Sequence, residues 1–445
     1  MKKINFMVFI ALLVSFIPTT LFADSFGPDE WNQYRYSSDK NAVYDNDSEP
    51  LSALSYDTLD EVRATPVIVG NRLFIGNHNT GDLFAFDIEN GEQIWSAKAP
   101  NWIHSEMIYQ DGRVFVGFGN RFFQENGIRG TEESGVLALD AETGEVLWKY
   151  NTDGEVMPTP VVYKESVYIV TGDKTLYKIN PNNGELVHKS DIGSVISMSS
   201  PAVHKNTLFF GGGRPTPYTF SAYSLKKDEF VWQTEFPKVI AGLDDVPPAV
   251  HGNLVVTTAL EGNRETPEHF MYALNRKNGK IVWKKSLGKG EMVSNNKSGA
   301  PMIYDNKIYV GSPITKTFYA YDLKTGEQIW KYKNEVMKAP PVAQNGIVYF
   351  SNTLGYVYAL DADSGEELGK KKLNGKLAPA GPVIVNDTLF VGSQDSKVYR
   401  LPLTDIINED VLASKAKSNS MQFYIIGLLI VVLIGLLFIA LKRRR

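Results

Sequence analysis

Short apolar runs separated by turns recur along most of this chain. One unit extends from Pro160 to His188 and contains four such runs, with turns at 164–166, 172–174 and 180–184. Apolar and polar positions alternate within the runs, which is the pattern of a strand with one buried face. The unit therefore predicts four short antiparallel strands joined by tight turns.

A recurring phrase, roughly Asp-x-x-x-Gly-Glu-x-x-Trp, closes seven of these units. Successive copies begin 39 to 53 residues apart. A repeat of this length, built from short strands, is typical of a β-propeller, in which four-stranded blades stack around an axis. The phrases begin at Asp87, Asp140, Asn180, Ser224, Asn275, Asp322 and Asp361.

The opening strand of the unit occurs eight times, once more than the closing phrase. Leu54 stands 12 residues before Pro66, just as Trp148 stands 12 residues before Pro160. We predict an all-β, eight-bladed propeller of four-stranded antiparallel blades over residues 51–402. The segment Leu51–Leu54 would supply the fourth strand of the last blade, which leaves no free edge in the ring.

Five tryptophans occupy one repeat position. An aromatic ligand site is one interpretation, but position-matched recurrence favours a scaffold role, with each ring wedged between neighbouring blades. His188 takes the same position, and His204 and His251 share another; metal ligands converge rather than recur around a ring, so these histidines are also interpreted as scaffold. The five tryptophans are Trp95, Trp148, Trp232, Trp283 and Trp330.

The two ends of the chain predict export and a membrane anchor. Two lysines precede a short apolar run at the start, as in a secretory signal, and a 19-residue apolar run near the end is followed by four cations. Positive residues stay on the cytoplasmic side, so we expect a single-pass cell-membrane protein with its propeller outside the cytoplasm. The expected segments are a signal peptide (1–23), an N-terminal extension (24–50), a polar tether (403–422), a transmembrane helix (423–441) and a cytoplasmic basic tail (442–445).

The amino-acid composition excludes several kinds of site and makes nucleic-acid binding unexpected. The chain has no cysteine, which excludes disulfides, thiolate metal sites and a lipidated cysteine. Without the six terminal cations, 40 lysines and arginines face 50 acidic residues. An acidic exported domain is a poor partner for nucleic acid, and none is expected.

The repeat resembles the pyrroloquinoline-quinone (PQQ) type of β-propeller repeat. The resemblance rests on units such as 357–366 and 318–330, and on the leading Trp31-Asn32-Gln33-Tyr34-Arg35; it covers about residues 31–402. One branch of this family contains quinoprotein dehydrogenases, and another contains non-catalytic proteins such as BamB. BamB-type proteins carry a lipidated cysteine that is absent here, so their role in barrel assembly is not carried over.

The enzyme branch implies a quinone above a tryptophan, often beside a cysteine pair, with a calcium ion and an Asp general base. This chain lacks the cysteine pair, shows no clustered Asp-x-Asp calcium loop, and has only Trp31 and Trp102 outside the repeat. We therefore expect no cofactor, and leave a PQQ–calcium dehydrogenase with an atypical site as the alternative.

The longer loops all fall on one face of the predicted ring. We call it the loop face: it carries the second-to-third-strand loops and the inter-blade connectors, whereas the opposite, tight-turn face carries the other turns. Elaborated loops on a rigid scaffold are where binding usually occurs. The same residues could instead be ordinary solvated loop positions. The loop-face candidates are Trp102, His104, Glu106, Arg121, Arg129, Arg214, Asp244, Asp245, Arg264, Asn295 and Asn296.

His104 and Glu106 form the one candidate pair for chemistry. They could serve as an acid–base pair or as part of a metal site, and Glu106 stands where other units place proline. No catalytic residue or complete metal site is predicted. The predicted function is a membrane-anchored, extracytoplasmic binding or scaffold protein that holds a protein or an envelope polymer on its loop face.

Overall fold

The computed structural model describes residues 49–408 continuously, together with residues 30, 31, 34, 35, 37, 40, 42, 43 and 411. Eight antiparallel sheets follow one another along this part of the chain. The first strands of neighbouring sheets contact each other around a common axis. The predicted all-β, eight-bladed propeller is therefore confirmed.

Strands are numbered in chain order, and the first half of the ring contains blades 1 to 4. The strand β1 joins blade 1, and β2 joins blade 8. These strands are β1 (Glu30–Trp31), β2 (Leu54–Asp57), β3 (Val67–Val69), β4 (Arg72–Gly76), β5 (Asp82–Asp87), β6 (Gln93–Lys98), β7 (Ile108–Gln110), β8 (Arg113–Phe118), β9 (Ser134–Asp140), β10 (Val146–Thr152), β11 (Val161–Tyr163), β12 (Ser166–Val170), β13 (Thr175–Ile179), β14 (Leu186–Asp191), β15 (Ala202–His204), β16 (Thr207–Gly212), β17 (Tyr218–Ser224) and β18 (Glu229–Phe236).

The second half contains blades 5 to 8, and blade 5 has an extra strand, β19, on its loop-face side. A short 3₁₀ helix, Leu403–Asp405, follows the last strand. The strands are β19 (Val239–Ala241), β20 (Ala249–His251), β21 (Leu254–Glu261), β22 (Glu268–Asn275), β23 (Ile281–Lys289), β24 (Met302–Tyr304), β25 (Lys307–Ser312), β26 (Thr317–Asp322), β27 (Gln328–Lys333), β28 (Val342–Gln344), β29 (Ile347–Ser351), β30 (Tyr356–Asp361), β31 (Glu367–Lys372), β32 (Val383–Val385), β33 (Thr388–Ser393) and β34 (Lys397–Pro402).

The predicted fold class needs one correction, which concerns the transmembrane helix. No helix in the described ranges is long and apolar enough to cross a membrane. What the structure describes is an all-β propeller, and the propeller-plus-helix architecture that we predicted is wrong in that respect. The run 423–441, on which the prediction was based, lies outside the described residues, as do 1–23 and 442–445.

The turn between the third and fourth strands explains the recurring phrase. In blade 2 the Asp140 carboxylate accepts hydrogen bonds from the backbone N–H groups of Glu142 (3.0 Å) and Thr143 (2.8 Å). Gly144 follows with φ +75°, a conformation that costs glycine little. The fourth strand then bulges between Val146 and Trp148, which turns the tryptophan toward the next blade.

The repeat tryptophans lie at the joints between blades. In each case the indole N–H donates to a backbone carbonyl in the turn of the next blade. That carbonyl belongs to the residue directly after the Asp or Asn that begins the turn. The ring also packs against the turn glycine; a Cβ added to Gly144 would lie 2.6 Å from the Trp95 ring. The indole bonds are Trp95 to Ala141 (3.0 Å), Trp148 to Pro181 (3.0 Å), Trp232 to Arg276 (2.9 Å), Trp283 to Leu323 (3.1 Å) and Trp330 to Ala362 (3.0 Å).

The ring closes by strand exchange, as the repeat count predicts, but the exchanged strand is β2 (Leu54–Asp57), and of the predicted segment Leu51–Leu54 only Leu54 belongs to it. Strand β2 pairs antiparallel with β34, and Leu54 lies opposite Arg400 in the register where other blades place a tryptophan opposite an alanine. A Cβ added to Gly91 would lie 2.6 Å from the Leu54 side chain, so Leu54 fills the tryptophan position of this joint.

The joint between blades 7 and 8 is filled differently. Gly369 lies opposite Ala359, in the tryptophan register, and leaves the joint without a ring. The chain after Pro402 fills the space: Ile406 and Ile407 are buried, and the N–H of Asn408 donates to the carbonyl of Leu368 (2.9 Å). The first residues of the segment expected to be a polar tether therefore pack against the propeller.

Candidate functional site

The N-terminal segment lies in the channel along the propeller axis. Strand β1 pairs with the innermost strand β3, and the Arg35 guanidinium donates to the Pro301 carbonyl (2.7 Å). The N–H of Ala343, in the innermost strand of blade 7, donates to the Ala42 carbonyl (2.9 Å). Tyr34 and Arg35 are buried. The segment thus contacts the inner strands of blades 1, 6 and 7.

The direction of the segment shows from which face it enters. Trp31 and Glu30 pair antiparallel with Ile68 and Val69, so the chain there runs toward the loop face. Val43 forms a parallel bridge with Ala343, so it runs back toward the tight-turn face. The described residues therefore trace a U that enters and leaves by the tight-turn face, with Tyr34 near its bend.

A cavity lies above Tyr34 on the loop face, and we call it the axial cavity. It is a narrow depression that is partly open to solvent. All eight inter-blade connectors contribute to its wall. The lining residues are Tyr34, Arg63, His104, Glu106, Met157, Met198, Ser200, Asp245, Val246, Pro247, Asn296, Ala300, Lys338, Pro340 and Pro379.

Glu106 is the buried carboxyl of the axial cavity. Its carboxylate accepts a hydrogen bond from the Thr159 hydroxyl. The backbone N–H of Glu106 donates in turn to the Thr159 hydroxyl oxygen (3.2 Å). Burial raises the pKa of Glu106 to about 7, although the Thr159 hydrogen bond and the Lys40 charge oppose the shift. The carboxyl therefore gains or loses its proton close to neutral pH.

His104 belongs to an aromatic wall. Its ring meets the His78 ring edge-on, with centroids 4.5 Å apart, and His78 in turn contacts Trp102 (5.1 Å). Trp102 also meets Phe122 edge-on (5.4 Å). Burial lowers the pKa of His104 well below its usual value, so the imidazole is neutral. Glu106 bonds to Thr159, and in the described part of the chain it forms no hydrogen bond with His104.

A second depression lies beside the axial cavity, over blades 3 to 5, and we call it the arginine groove. The guanidinium carbons of Arg129 and Arg214 lie 5.9 and 5.5 Å from the centroid of the Phe123 ring. Arg129 also forms a 2.6 Å ion pair with buried Glu155. The lining residues are Phe123, Arg129, Val195, Arg214, Tyr218, Ile240, Ala241, Gly242, Asp244, Asp245, Arg264, Met292 and Lys297.

Two adjacent carboxyls separate the arginine groove from the axial cavity. Burial raises the pKa of Asp244 to about 7, and the charge of neighbouring Asp245 adds to the shift. Asp245 lines both depressions and accepts a hydrogen bond from the N–H of Lys297 (3.2 Å). The Asp244 carboxyl, at the boundary between the two sites, therefore titrates near neutral pH.

The loop of blade 2 extends over the loop face. Arg121 donates to the Asn295 side-chain oxygen (2.8 Å), which belongs to the connector between blades 5 and 6. The same connector receives a hydrogen bond from Lys338 to the Asn295 carbonyl (3.0 Å), and Asn296 contacts the Met198 sulfur (3.4 Å). These bonds link distant blades beside the opening of the axial cavity.

The structure thus groups the predicted candidates into three places. Trp102, Arg121 and Asn295 lie beside the two depressions. His104, Glu106, Asp245 and Asn296 line the axial cavity, while Arg129, Arg214, Asp244, Asp245 and Arg264 line the arginine groove.

The sequence reasoning missed Tyr34, Arg63, Lys338 and Glu155. A repeat signal marks two of them: Arg63 and Lys338 stand three residues before the proline that opens the next blade. Other cavity residues share this position relative to their own opening strands, namely His104, Met157, Met198, Asp245 and Pro379. Residues at this position face the axis. By the same count Met107, and not Glu106 as predicted, stands where the other opening strands are preceded by proline. Tyr34 and Glu155 carry no comparable signal.

The chain is similar to known proteins along most of its propeller. The family model described as the outer membrane protein assembly factor BamB matches residues 42–125, 116–216 and 200–405. The chain belongs to this BamB family. Its likeness to the crystal structure of BamB from Moraxella catarrhalis has a TM-score of 0.61 at 16% identity, covering 78% of this chain and 98% of that one.

Relatives of the BamB-family fold include enzymes. Tetrathionate hydrolase from Acidithiobacillus ferrooxidans is 28% identical over 352 residues, which is 73% of this chain and 70% of that protein. The quinohemoprotein alcohol dehydrogenase from Comamonas testosteroni has a TM-score of 0.62 at 14% identity, covering 84% of this chain and 80% of that one. The structural likenesses, at these identities, show the fold alone.

The residues of the axial cavity do not fit a PQQ group. No tryptophan lines the cavity within the described ranges, and the Trp102 ring is held edge-on by His78 and Phe122. In the same part of the chain, no three or more His, Cys, Asp or Glu side chains are grouped so that they could hold a metal ion. A stacked quinone with its calcium ion would lack both its aromatic platform and its ligands.

Proposed function

We propose that this BamB-family propeller is an extracytoplasmic binding protein of the cell envelope, and that it holds a protein partner in the arginine groove. One observation carries the proposal: Arg129, Arg214 and Arg264 come from the loops of three different blades and converge on one depression. The N-terminal signal expected for residues 1–23 supports the location, and the family description supports a protein partner.

The groove has the composition of a binding surface rather than of ordinary solvated loops. Arginine and aromatic residues are enriched where proteins meet, because they combine large contact area with directional hydrogen bonds. Phe122 and Phe123 are about half exposed beside the groove. The guanidinium groups of Arg129 and Arg214 already lie near the Phe123 ring. A partner that offers carboxylates next to an apolar side chain would complement this surface.

Crosslinking and charge reversal together test the proposal. Arg129 should be left intact, because its loss would strand the buried Glu155 carboxylate. The double variant Arg214→Glu/Arg264→Glu reverses two cations of the groove, and Lys277→Glu/Lys324→Glu reverses two exposed lysines on the tight-turn face. Photo-crosslinkers are placed beside the groove, at Phe122, and on the tight-turn face, at Asp111.

We expect crosslinks to one partner from Phe122 and not from Asp111. The groove double variant should reduce them at least about tenfold, since each fully engaged charge pair is worth about a factor of ten. The tight-turn variant should retain them. An interface confined to the tight turns, or equal crosslinking by both double variants, would contradict the proposal.

The second candidate function is hydrolysis at the axial cavity. It is favoured by the tetrathionate hydrolase relative and by Glu106, a buried carboxyl with a pKa of about 7, which is suited to accept a proton from water. Tetrathionate consumption by the purified protein that is abolished by Glu106→Gln would establish it. Quinone absorbance and dye reduction after addition of PQQ and calcium would instead establish the dehydrogenase alternative.

A further inference from the structure

Four consecutive connectors each bring one cation to the loop face near the axis. We call this set the cationic arc: Lys297 lies between blades 5 and 6, Lys338 between 6 and 7, Lys376 between 7 and 8, and Arg63 between 8 and 1. The connectors on the other side of the ring carry the acidic groups Glu106, Glu155, Asp244 and Asp245. Three of the four arc connectors also carry carboxylates outside the cavity lining, at Asp60, Glu61, Glu291 and Glu335, whereas Arg63 and Lys338 line the cavity itself.

The cations of the arc are close enough to repel one another. Burial, together with the charges of Lys297, Arg63 and Lys376, lowers the pKa of Lys338 to about 8, while the charge of Asp245 opposes the shift. A like charge acts on a pKa in this way only at short range. The arc therefore holds its positive charges together at an energetic cost that a bound anion would relieve.

Local carboxylates neutralise the arc only in part. Within the described ranges no carboxylate lies in ion-pair distance of Lys338, whose ammonium donates to the carbonyls of Ser294 and Asn295. Arg63 pairs through one terminal nitrogen with Glu61 (2.9 Å), but its Nε is buried and has no hydrogen-bond partner. Lys297 approaches Asp245 at 3.9 Å. Two cations that line the axial cavity thus keep donor capacity.

We propose that the axial cavity binds a small oxyanion of charge −2, held between Arg63 and Lys338. Neutral hydrogen-bond donors are available in the same lining: the Asn296 amide and the Ser200 hydroxyl, with the Tyr34 hydroxyl from the segment that fills the channel below. Arginine and lysine with convergent neutral donors are the groups that recognise phosphate and sulfur oxyanions.

The acidic groups of the same lining make this binding depend on pH. Glu106 faces the cavity and carries its proton below about pH 7, and Asp245 lies beside Lys297. Ionised Glu106 would repel an anion, whereas protonated Lys338 attracts it. Neutral His104 does not change its charge in this range. Affinity should therefore rise as pH falls from 8 to 6.

Calorimetric titration of the full chain tests the site. The probes are sulfate and thiosulfate, which remain dianions from pH 6 to pH 8, and inorganic phosphate at pH 8 only, where it is mainly the dianion, with chloride at equal ionic strength as the reference. The variants are Lys338→Gln and Arg63→Gln, and the matched control is Lys316→Gln, an exposed loop-face lysine that pairs with Glu335 (3.1 Å). A thermal melt of every variant verifies that it is folded.

We expect one saturable site for at least one of the three dianions, weakened at least about tenfold in each arc variant and unchanged in the control. Binding at pH 8 should also take up protons, seen as a difference between Tris and HEPES buffers, because the anion stabilises protonated Lys338. Absence of saturable binding below about 10 mM, or an affinity in Lys338→Gln and Arg63→Gln equal to that of the unsubstituted protein, would overturn the proposal.

Different results would contradict the anion site in the axial cavity and the protein-binding function of the arginine groove. Arg214→Glu/Arg264→Glu should abolish crosslinking to the partner and keep one saturable anion site. Lys338→Gln should lose the anion and keep the crosslinks. Anion binding without any turnover of tetrathionate would support the site while removing the hydrolase candidate.

Discussion

The Arg400 guanidinium donates a hydrogen bond to the backbone carbonyl of Ile88, the position that a tryptophan indole reaches at five other joints. Tyr56 donates to the same carbonyl (3.0 Å), and Arg400 Nε donates to the Ser52 carbonyl (2.7 Å). At the joint where the two ends of the chain meet, an arginine and a tyrosine thus replace the missing indole. Arg400 is buried, so its hydrogen bonds are not exchanged for water.

Replacing this arginine should weaken ring closure. Arg400→Met removes the donors to Ile88 and Ser52, and we expect it to lower the free energy of unfolding by about 2–4 kcal/mol. The matched control is Arg276→Met, whose arginine bonds one carbonyl, that of Gly252, at the surface (2.9 Å). It should cost less than about 1 kcal/mol in the same denaturant titration. Equal losses would mean that the closure bonds carry no special weight.

The turn glycines should be required for packing as well as for backbone conformation. Gly144 and Gly70 both have positive φ, but only Gly144 packs against a tryptophan, whereas a Cβ on Gly70 would meet nothing within 4 Å. Gly70→Ala should therefore cost only the backbone strain, about 1–2 kcal/mol. Gly144→Ala should cost about 1–3 kcal/mol more, because it overpacks the Trp95 joint. Melting curves of the two variants give the difference, and identical curves would refute the packing role.

The contribution of Glu106 to stability should fall as pH rises toward neutrality, opposite in sign to the contributions of the buried histidines His78, His104 and His269, whose pKa values burial lowers. Glu106 has its ordinary pKa of 4.5 in the unfolded chain and about 7 in the folded protein, so between these values the folded state binds more protons. Its contribution is complete below pH 4.5 and is lost as pH approaches 7. Asp244, raised from 3.8 to about 7, acts in the same direction.

Glu106→Gln isolates the contribution of that carboxyl. Relative to the unsubstituted protein, the variant should make the change in the free energy of unfolding from pH 5 to pH 8 more positive by roughly 1–3 kcal/mol, measured by urea unfolding at each pH. Glu145→Gln, at an exposed turn, should leave the pH profile unchanged. A Glu106→Gln profile as steep as that of the unsubstituted protein would show that this carboxyl does not titrate in the folded state.

The segment after Pro402 should stabilise blade 7. A chain that ends at residue 402 loses the buried side chains of Leu403, Ile406 and Ile407, each worth about 1.5–3 kcal/mol when fully buried. A chain that ends at residue 408 should melt close to the full chain, and the shorter one several degrees lower. The variant Ile406→Ala in the full chain provides an independent measure, with an expected loss of about 2–4 kcal/mol.

The repeat made most of the fold predictable, because the sequence of each blade contains the pattern of its strands, its turns and the residue at its joint. Even the closure through Leu54 follows from counting positions relative to Pro66 and Pro160. The filling of the blade 7–8 joint does not, since nothing in Gly369 indicates which distant residues replace the ring.

The candidate sites were predictable in part, for a related reason. Loop length indicated which face would carry Arg129, Arg214 and Arg264, and the structure shows that these residues share one groove. The contact of Arg35 with the Pro301 carbonyl spans 266 residues and leaves no periodic trace. The contacts of a segment that does not repeat, such as this one, cannot be predicted from the sequence pattern and are known only from the structure.

The U-shaped N-terminal segment constrains the order in which the parts of the ring can assemble. The channel that holds Tyr34 exists only when the innermost strands of blades 1, 6 and 7 are present, and the strand Leu54–Asp57 can latch only onto a finished blade 8. The first described residues of the chain must therefore wait for the last blade to be made. A chain that ends before residue 397 would lack β34, the partner of the strand Leu54–Asp57, and its ring could not close.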